Sequence, residues 1–307
     1  MQGLQTFADA PPMQVIAAFT GHRSAVYALA PDRDAGSFLS AGSDGTIVRW
    51  DRDLPTEGQG IAQLPRPIFS MLTVDDRVIA GLDDGAIHVL DTAGKSEVRH
   101  LRLHTKGVFG LLSVQQGALI VSAGGEGSIG LWQWPAMELL RQIPLCDAKV
   151  RGLALSSDGQ WLAASCNDGF VRVLDTTHFN ELITLNAHAN GAYGIAFHPG
   201  KPVLITGGRD GHLRAWRMQG NWEKVLDVPA HQGSIYTIAF SPDGKYIATA
   251  SRDKTAKVWE AESLEPIARL DRIAGGHTHS VNTLMWLSDG TLLTAGDDKR
   301  IVRWAKP

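Results

Sequence analysis

The chain has 307 residues, 44% of them hydrophobic and 20% charged, with a formal net charge of −3. That balance argues against a general polyanion binder, and two cysteines are too few for a disulfide framework. No basic-then-apolar leader opens the sequence and no run reaches membrane-spanning length, so the expectation is a soluble cytoplasmic protein, monomeric on its own, with no membrane partner.

Residues 1–12 carry Gly3 and the pair Pro11-Pro12 and read as an extended N-terminal tail. Residues 13–19, MQVIAAF, read as a strand. Residues 20–307 then divide into seven like units, at about 20–65, 66–103, 104–145, 146–187, 188–230, 231–276 and 277–307. The sixth is the plainest. An apolar run at 235–240 is followed by a Ser-Pro-Asp-Gly turn, a second run at 246–250, a polar turn at Arg252-Asp253-Lys254, and a third run closing on Trp259. Three short strands joined by hairpin turns fit that pattern. Such a meander exposes both faces and cannot fold alone, so something must cover it.

Copies of itself are the answer. A turn acid followed by Trp or Leu recurs as Asp44/Trp50, Asp84/Leu90, Glu126/Trp132, Asp168/Leu174, Asp210/Trp216, Asp253/Trp259 and Asp298/Trp304, spaced 40 to 45 residues apart. That period points to radial repetition of one small sheet. Gly21-His22, Gly276-His277, the SPDG turn at 241–244 and Trp50-Asp51 resemble the Trp-Asp (WD) repeat family. Other copies depart from that signature, ending Leu90-Asp91, Leu174-Asp175 or Trp216-Arg217. The resemblance covers residues 13–307 and implies an all-β, seven-bladed propeller of four-stranded antiparallel blades forming one domain. The seventh unit has no fourth strand of its own, so residues 13–19 are expected to pair with 301–304 and latch the ring.

Eleven histidines invite a search for metal or acid-base chemistry. Five of them, His22, His104, His188, His231 and His277, precede a first strand at one fixed spacing. The same units carry Ser40, Ser122, Thr206, Thr249 or Thr294 four residues before the turn acid, and all five end in Trp. Units two and four lose all three together, reading Leu64, Ala80, Leu90 and Cys146, Ala164, Leu174. Joint loss is the mark of a buried hydrogen-bond network, since removing one partner strands the others. The resemblance implies the same order, turn acid to His to Ser/Thr to indole. The expectation is therefore structural histidines, with no catalytic residue, metal or cofactor. Glu126 adds a methylene that unsettles its network, and Cys146 and Cys166, near one end of blade four, read as small buried apolar residues, with a close approach of the two left open.

The first strands hold the candidate partner site. Directly after the apolar starter stand Tyr27, Phe69, Phe109, Arg151, Tyr193, Tyr236 and Asn282, expected to ring the mouth of the central channel. The next position is small (Ala28, Ser70, Gly110, Gly152, Gly194, Thr237, Thr283), and the one after is aliphatic (Leu29, Met71, Leu111, Leu153, Ile195, Ile238, Leu284) and reads as core between blades. The residues before the turn acids, Ser43, Asp83, Gly125, Asn167, Arg209, Arg252 and Asp297, would rim the mouth. Arg66, Lys106, Lys149, Arg151, Arg209 and Arg252 bias it towards an acidic or C-terminal peptide, with Asp83 and Asp297 as an opposing patch. A non-enzymatic interaction scaffold for a protein or peptide is the leading reading. RNA or ribonucleoprotein association by base stacking is the alternative, weakened by the net charge. A propeller enzyme would need convergent carboxylates or histidines that the inner strands lack.

Overall fold

The computed structural model describes residues 13–93 and 96–305. The tail at 1–12 lies outside them. Within them the strands form seven four-stranded antiparallel sheets, and no helix is long and apolar enough to cross a membrane. Strands follow chain order from the axis outwards, beginning at Val26–Pro31, Ile68–Val74, Val108–Val114, Val150–Leu155, Ala192–Phe197, Ile235–Phe240 and Val281–Trp286. Each of these inner strands lies against the next, and that of blade seven lies against that of blade one. The circle is thereby closed.

Blade seven takes its outer strand from the other end of the chain. Gln14–Thr20 pairs antiparallel with Arg300–Ala305, with Val15 opposite Trp304 and Phe19 opposite Ile301, as the sequence led us to expect. Arg303 adds a polar clasp, donating to the carbonyl of Arg52 at 2.9 Å and to Asp289 at 2.8 Å.

The core is not one mass. Among the described residues it is seven apolar clusters, one at each junction between neighbouring blades. Second strands such as Ser37–Gly42 and Leu119–Gly124 are buried almost throughout, because blades cover both their faces. Outer strands such as Ser96–Arg102 are polar and exposed. At the tight turns the Asp side chain accepts the amide two residues on, as Asp44 does from Thr46 at 3.0 Å. The residue between must then adopt positive φ. Five blades place Gly there, whereas Lys254 and Lys299 reach 72° and 68° as non-glycine residues.

Candidate functional site

Inner-strand pairing skips one residue at the same place in all seven blades. The register shifts between Val26 and Ala28, Ile68 and Ser70, Val108 and Gly110, Val150 and Gly152, Ala192 and Gly194, Ile235 and Thr237, and Val281 and Thr283. The skipped residue is each time the one after the apolar starter. A bulge leaves that residue outside the ladder and re-aims its side chain. Its carbonyl also loses its partner in the sheet, and neighbours supply one: Ser165 Oγ donates to Tyr193 O at 2.6 Å and Thr237 Oγ1 to Asn282 O at 2.9 Å.

Seven bulges on one ring aim seven side chains at one mouth. Tyr27, Phe69, Phe109, Arg151, Tyr193, Tyr236 and Asn282 line a single cavity of about 400 Å³, joined by Thr237 and Asp297. Phe69 stacks on Phe109 at 5.2 Å and 18°, and Tyr193 on Tyr236 at 6.2 Å and 28°. Arg151 closes the gap between the two stacks, its guanidinium carbon 4.7 Å from the Phe109 ring centre and 4.8 Å from that of Tyr193. Burial pulls its pKa below the ordinary guanidinium value, partly offset by Tyr193 and Tyr236. It has no hydrogen bond or ion pair with any described residue.

Below the ring, the aliphatic column does more than fill junctions. Leu29, Met71, Leu111, Leu153, Ile195 and Ile238 line the channel itself, around a second cavity of about 270 Å³. Reading them only as core between blades was thus incomplete: two residues beyond the skipped one, they face the axis as well as the junction. The small column lets these side chains nest: a Cβ on Gly152 would stand 3.0 Å from Ile195, and one on Gly194 2.9 Å from Ile238.

The rim charges are less balanced than their sequence suggests. Asp83 is held by a bidentate Arg66, both bonds 2.9 Å, and does not line the cavity. Asp297 does, and accepts from the Asn282 amide at 2.7 Å. Lys149 lies 5.3 Å from the Phe109 ring centre. Among the described residues Lys106, Lys149, Arg151, Arg209 and Arg252 have no carboxylate partner. Arg209 and Arg252 are exposed, as are Lys106 and Lys149, while Ser43 and Asn167 are half-buried and Gly125 is buried.

Outside the mouth, five blades repeat one hydrogen-bonded chain. In blade one the Trp50 indole donates to Ser40 Oγ at 2.7 Å, His22 Nε2 lies 2.7 Å from that oxygen, and His22 Nδ1 lies 2.9 Å from Asp44. His188, Thr206, Trp216 and Asp210 repeat it with every contact between 2.9 and 3.0 Å. His231, Thr249, Trp259 and Asp253 do so between 2.8 and 2.9 Å, as do His277, Thr294, Trp304 and Asp298. Where the hydroxyl accepts from the indole and donates to Nε2, the imidazole is the neutral Nδ1–H form; the hydroxyls of Thr249 and Thr294 also have a backbone carbonyl within reach. Burial accordingly keeps His188 and His231 below the ordinary imidazole value, although Asp210 and Asp253 pull the other way.

The family model for the WD domain, G-beta repeat, matches residues 13–51, 138–175, 179–217, 222–260 and 266–304. This chain is a WD40 protein. Among curated WD40-like relatives, it is 23% identical to mouse periodic tryptophan protein 2 homolog over 219 residues, 65% of this chain and 24% of that protein. It is 34% identical to the fission yeast target of rapamycin complex subunit wat1 over 107 residues, 34% of each. It is 26% identical to bovine pre-mRNA-processing factor 19 over 146 residues, 47% of this chain and 29% of that protein. The aligned parts therefore span between 24% and 34% of those relatives.

Departures from the WD40 signature have local causes. In blade three Glu126 Oε1 reaches His104 and Ser128, each at 2.5 Å, and His104 and Trp132 bond Ser122 at 2.7 and 2.9 Å. Glu126 Oε2, however, is buried with no partner among the described residues. In blade one Asp44 also takes the amide of Arg23 at 2.9 Å, an acceptance the longer side chain forgoes. Blades two and four lack the imidazole and fill its place. Where other WD40 blades have Gly42, Gly124, Gly208, Ser251 and Gly296, these two have Leu82 and Cys166. A Cβ on Gly208 would lie 2.3 Å from the His188 ring, so the glycine makes room for the histidine. Asp168 has no histidine and accepts from Arg172 at 2.8 Å, as Asp210 accepts from Arg214 at the same distance beside its histidine.

One cluster has no counterpart in the sequence expectations and a second was left open by them. His88 stacks on His100 at 4.4 Å and 19° and bonds Glu97 at 2.7 Å, a grouping visible only once strand register is known. The second joins Cys146, half-buried and not the buried apolar residue expected, to Cys166 and Asp168. The covarying Gly column was the available signal for it.

Proposed function

We propose that this WD40 propeller is a non-enzymatic protein-interaction platform whose mouth takes an acidic side chain or a free C-terminal carboxylate of a peptide. The observation that carries this reading is Arg151. A half-buried guanidinium held between two aromatic faces, without a carboxylate, carries a desolvation cost that an anionic ligand offsets with a bidentate pair. Lys149 beside Phe109 reinforces the same sign. WD40 proteins generally serve as binding scaffolds, and the inner strands offer rings and aliphatics in place of convergent acids and bases.

A displayed random-peptide library selected on the wild-type chain, beside a pool of single-stranded RNA, tests the proposal. Acidic or C-terminus-dependent peptides should be enriched and should bind Arg151→Met at least tenfold more weakly. Enrichment of basic peptides, or of RNA with a steep salt dependence, would reject it.

A further inference from the structure

The chain contains two cysteines, and the fold brings them together in blade four. Cys146 lies on the loop entering the inner strand, where five other blades have histidine. Cys166 ends the second strand, and Asp168 follows in the turn. One Sγ of each cysteine and a carboxylate oxygen of Asp168 lie within 4.8 Å of one another. Cys166 is fully buried, while Cys146 is half-buried, its Sγ 3.0 Å from Ala148 O.

Filling the imidazole's volume needs nothing polar, as Leu64 and Leu82 demonstrate in blade two. Blade four adds a cation. Arg172 Nη2 donates to Asp168 at 2.8 Å, and its Nη1 is buried with no hydrogen-bond partner among the described residues. The two thiols are pushed apart in acidity. The neighbouring Cys166 thiol, aided by the Ala148 carbonyl contact and Arg172, draws the Cys146 thiol down to about 7 against the opposition of burial, whereas Cys146 and burial push Cys166 up. One accessible, acidic thiol beside a buried, reluctant one is the division between an attacking and a resolving sulfur.

We propose that Cys146 and Cys166 form an oxidisable dithiol that reacts with low-molecular-weight disulfides. The Cys146 thiolate attacks one sulfur of the small disulfide, forming a mixed disulfide and expelling a thiolate, which takes up the proton Cys146 had released to solvent. Cys166 then attacks Cys146 Sγ, passing its own proton by way of the Asp168 carboxylate to the second departing thiolate. The protein dithiol loses two electrons, and the small disulfide becomes two thiols. The new bond ties the inner-strand loop to the turn, on the segment that continues into Lys149 and Arg151 of the mouth. A bound cation is disfavoured, because the Arg172 guanidinium already occupies Asp168.

The test uses the full chain, oxidised glutathione over a pH series, alkylation of remaining thiols and peptide mass spectrometry. The wild type should lose both thiols and yield a linked 146–166 peptide pair free of glutathione, its rate rising with a midpoint near pH 7. Cys166→Ser should stop at glutathione on Cys146, and Cys146→Ser should react at least tenfold more slowly. Arg172→Met should move the rate midpoint upwards. Retention of glutathione on wild-type Cys146, a midpoint at the ordinary thiol value of about 8.5, or protection of both thiols by stoichiometric Zn²⁺ would each overturn the proposal.

Discussion

Phe19 of the latch strand meets Phe38 of blade one edge-on, their ring centroids 5.0 Å apart and their planes at 90°. It also touches the Trp50 ring at 5.6 Å and is wholly buried between blades seven and one. The latch is therefore a plug in an inter-blade junction as well as a row of hydrogen bonds. Phe19→Ala should destabilise the chain by about 3–5 kcal/mol, the usual cost of emptying a buried aromatic site. Urea denaturation would measure it, and a loss below about 1 kcal/mol would mean that the junction does not depend on the plug.

Glu126 reaches its histidine and leaves its second oxygen without a donor. Glu126→Asp should bring that oxygen to the Thr105 amide, the blade-three counterpart of the Arg23 amide that serves Asp44 in blade one. The expected gain is about 1 kcal/mol, the order of a recovered buried hydrogen bond. A raised urea midpoint with an unchanged slope is the signature to look for.

Acid should weaken the ring in two stages. Burial, ahead of the opposing pull of Asp253, holds His231 below its ordinary value, and burial does the same for His188. Unfolding returns both to about 6.5, so the unfolded chain binds protons that the native chain resists. Stability is then full above about pH 6.5 and declines as pH falls towards the depressed native values. Asp210 and Asp253 extend the loss below about pH 4: burial raises them, but hydrogen bonds from His188 and Arg214, and from His231 and Thr255, hold both well below the carboxylate range. Urea midpoints at pH 8, 6.5 and 5.5 should fall in that order. His231→Ala should cost about 1–3 kcal/mol at pH 8 and flatten the upper part of the profile. A midpoint rising on acidification would instead reveal native imidazolium–carboxylate pairs.

Arg151 should prove dispensable for folding. Two cation–π contacts are worth about 0.5–2 kcal/mol each, and desolvating a guanidinium without a carboxylate costs a comparable amount. Arg151→Met, similar in length and content in apolar surroundings, should therefore change stability by less than about 1 kcal/mol. A large loss in thermal unfolding would make the side chain a structural strut between the Phe109 and Tyr193 stacks.

Blade number, ring closure and the partners along each indole–hydroxyl–imidazole–carboxylate chain could be read from the sequence, because each depends on spacings repeated in register. The bulge could not. Nothing in Val26-Tyr27-Ala28 distinguishes a skipped residue from ordinary alternation, yet Tyr27 leaves the ladder at the mouth while Leu29 lines the channel below. Charge at the mouth was legible in kind and not in balance, since only geometry reveals that Arg66 neutralises Asp83 while Arg151 is left unpaired. The meeting of Cys146 with Cys166 was left open by the sequence because it depends on space vacated by a histidine. Gly124 and Gly208 keep that space for the ring in blades three and five.

Hydrogen bonding of Val15 to the strand that holds Trp304 also bears on how the molecule is made. A nascent chain leaving the ribosome cannot complete its circle until Arg300–Ala305 is out, so the pairing edge of Gln14–Thr20 stays open through nearly the whole of translation, although Phe38 and Trp50 are there early to meet Phe19. An open strand edge during synthesis, closed once residue 304 emerges, is the consequence of fastening a ring with its own first strand.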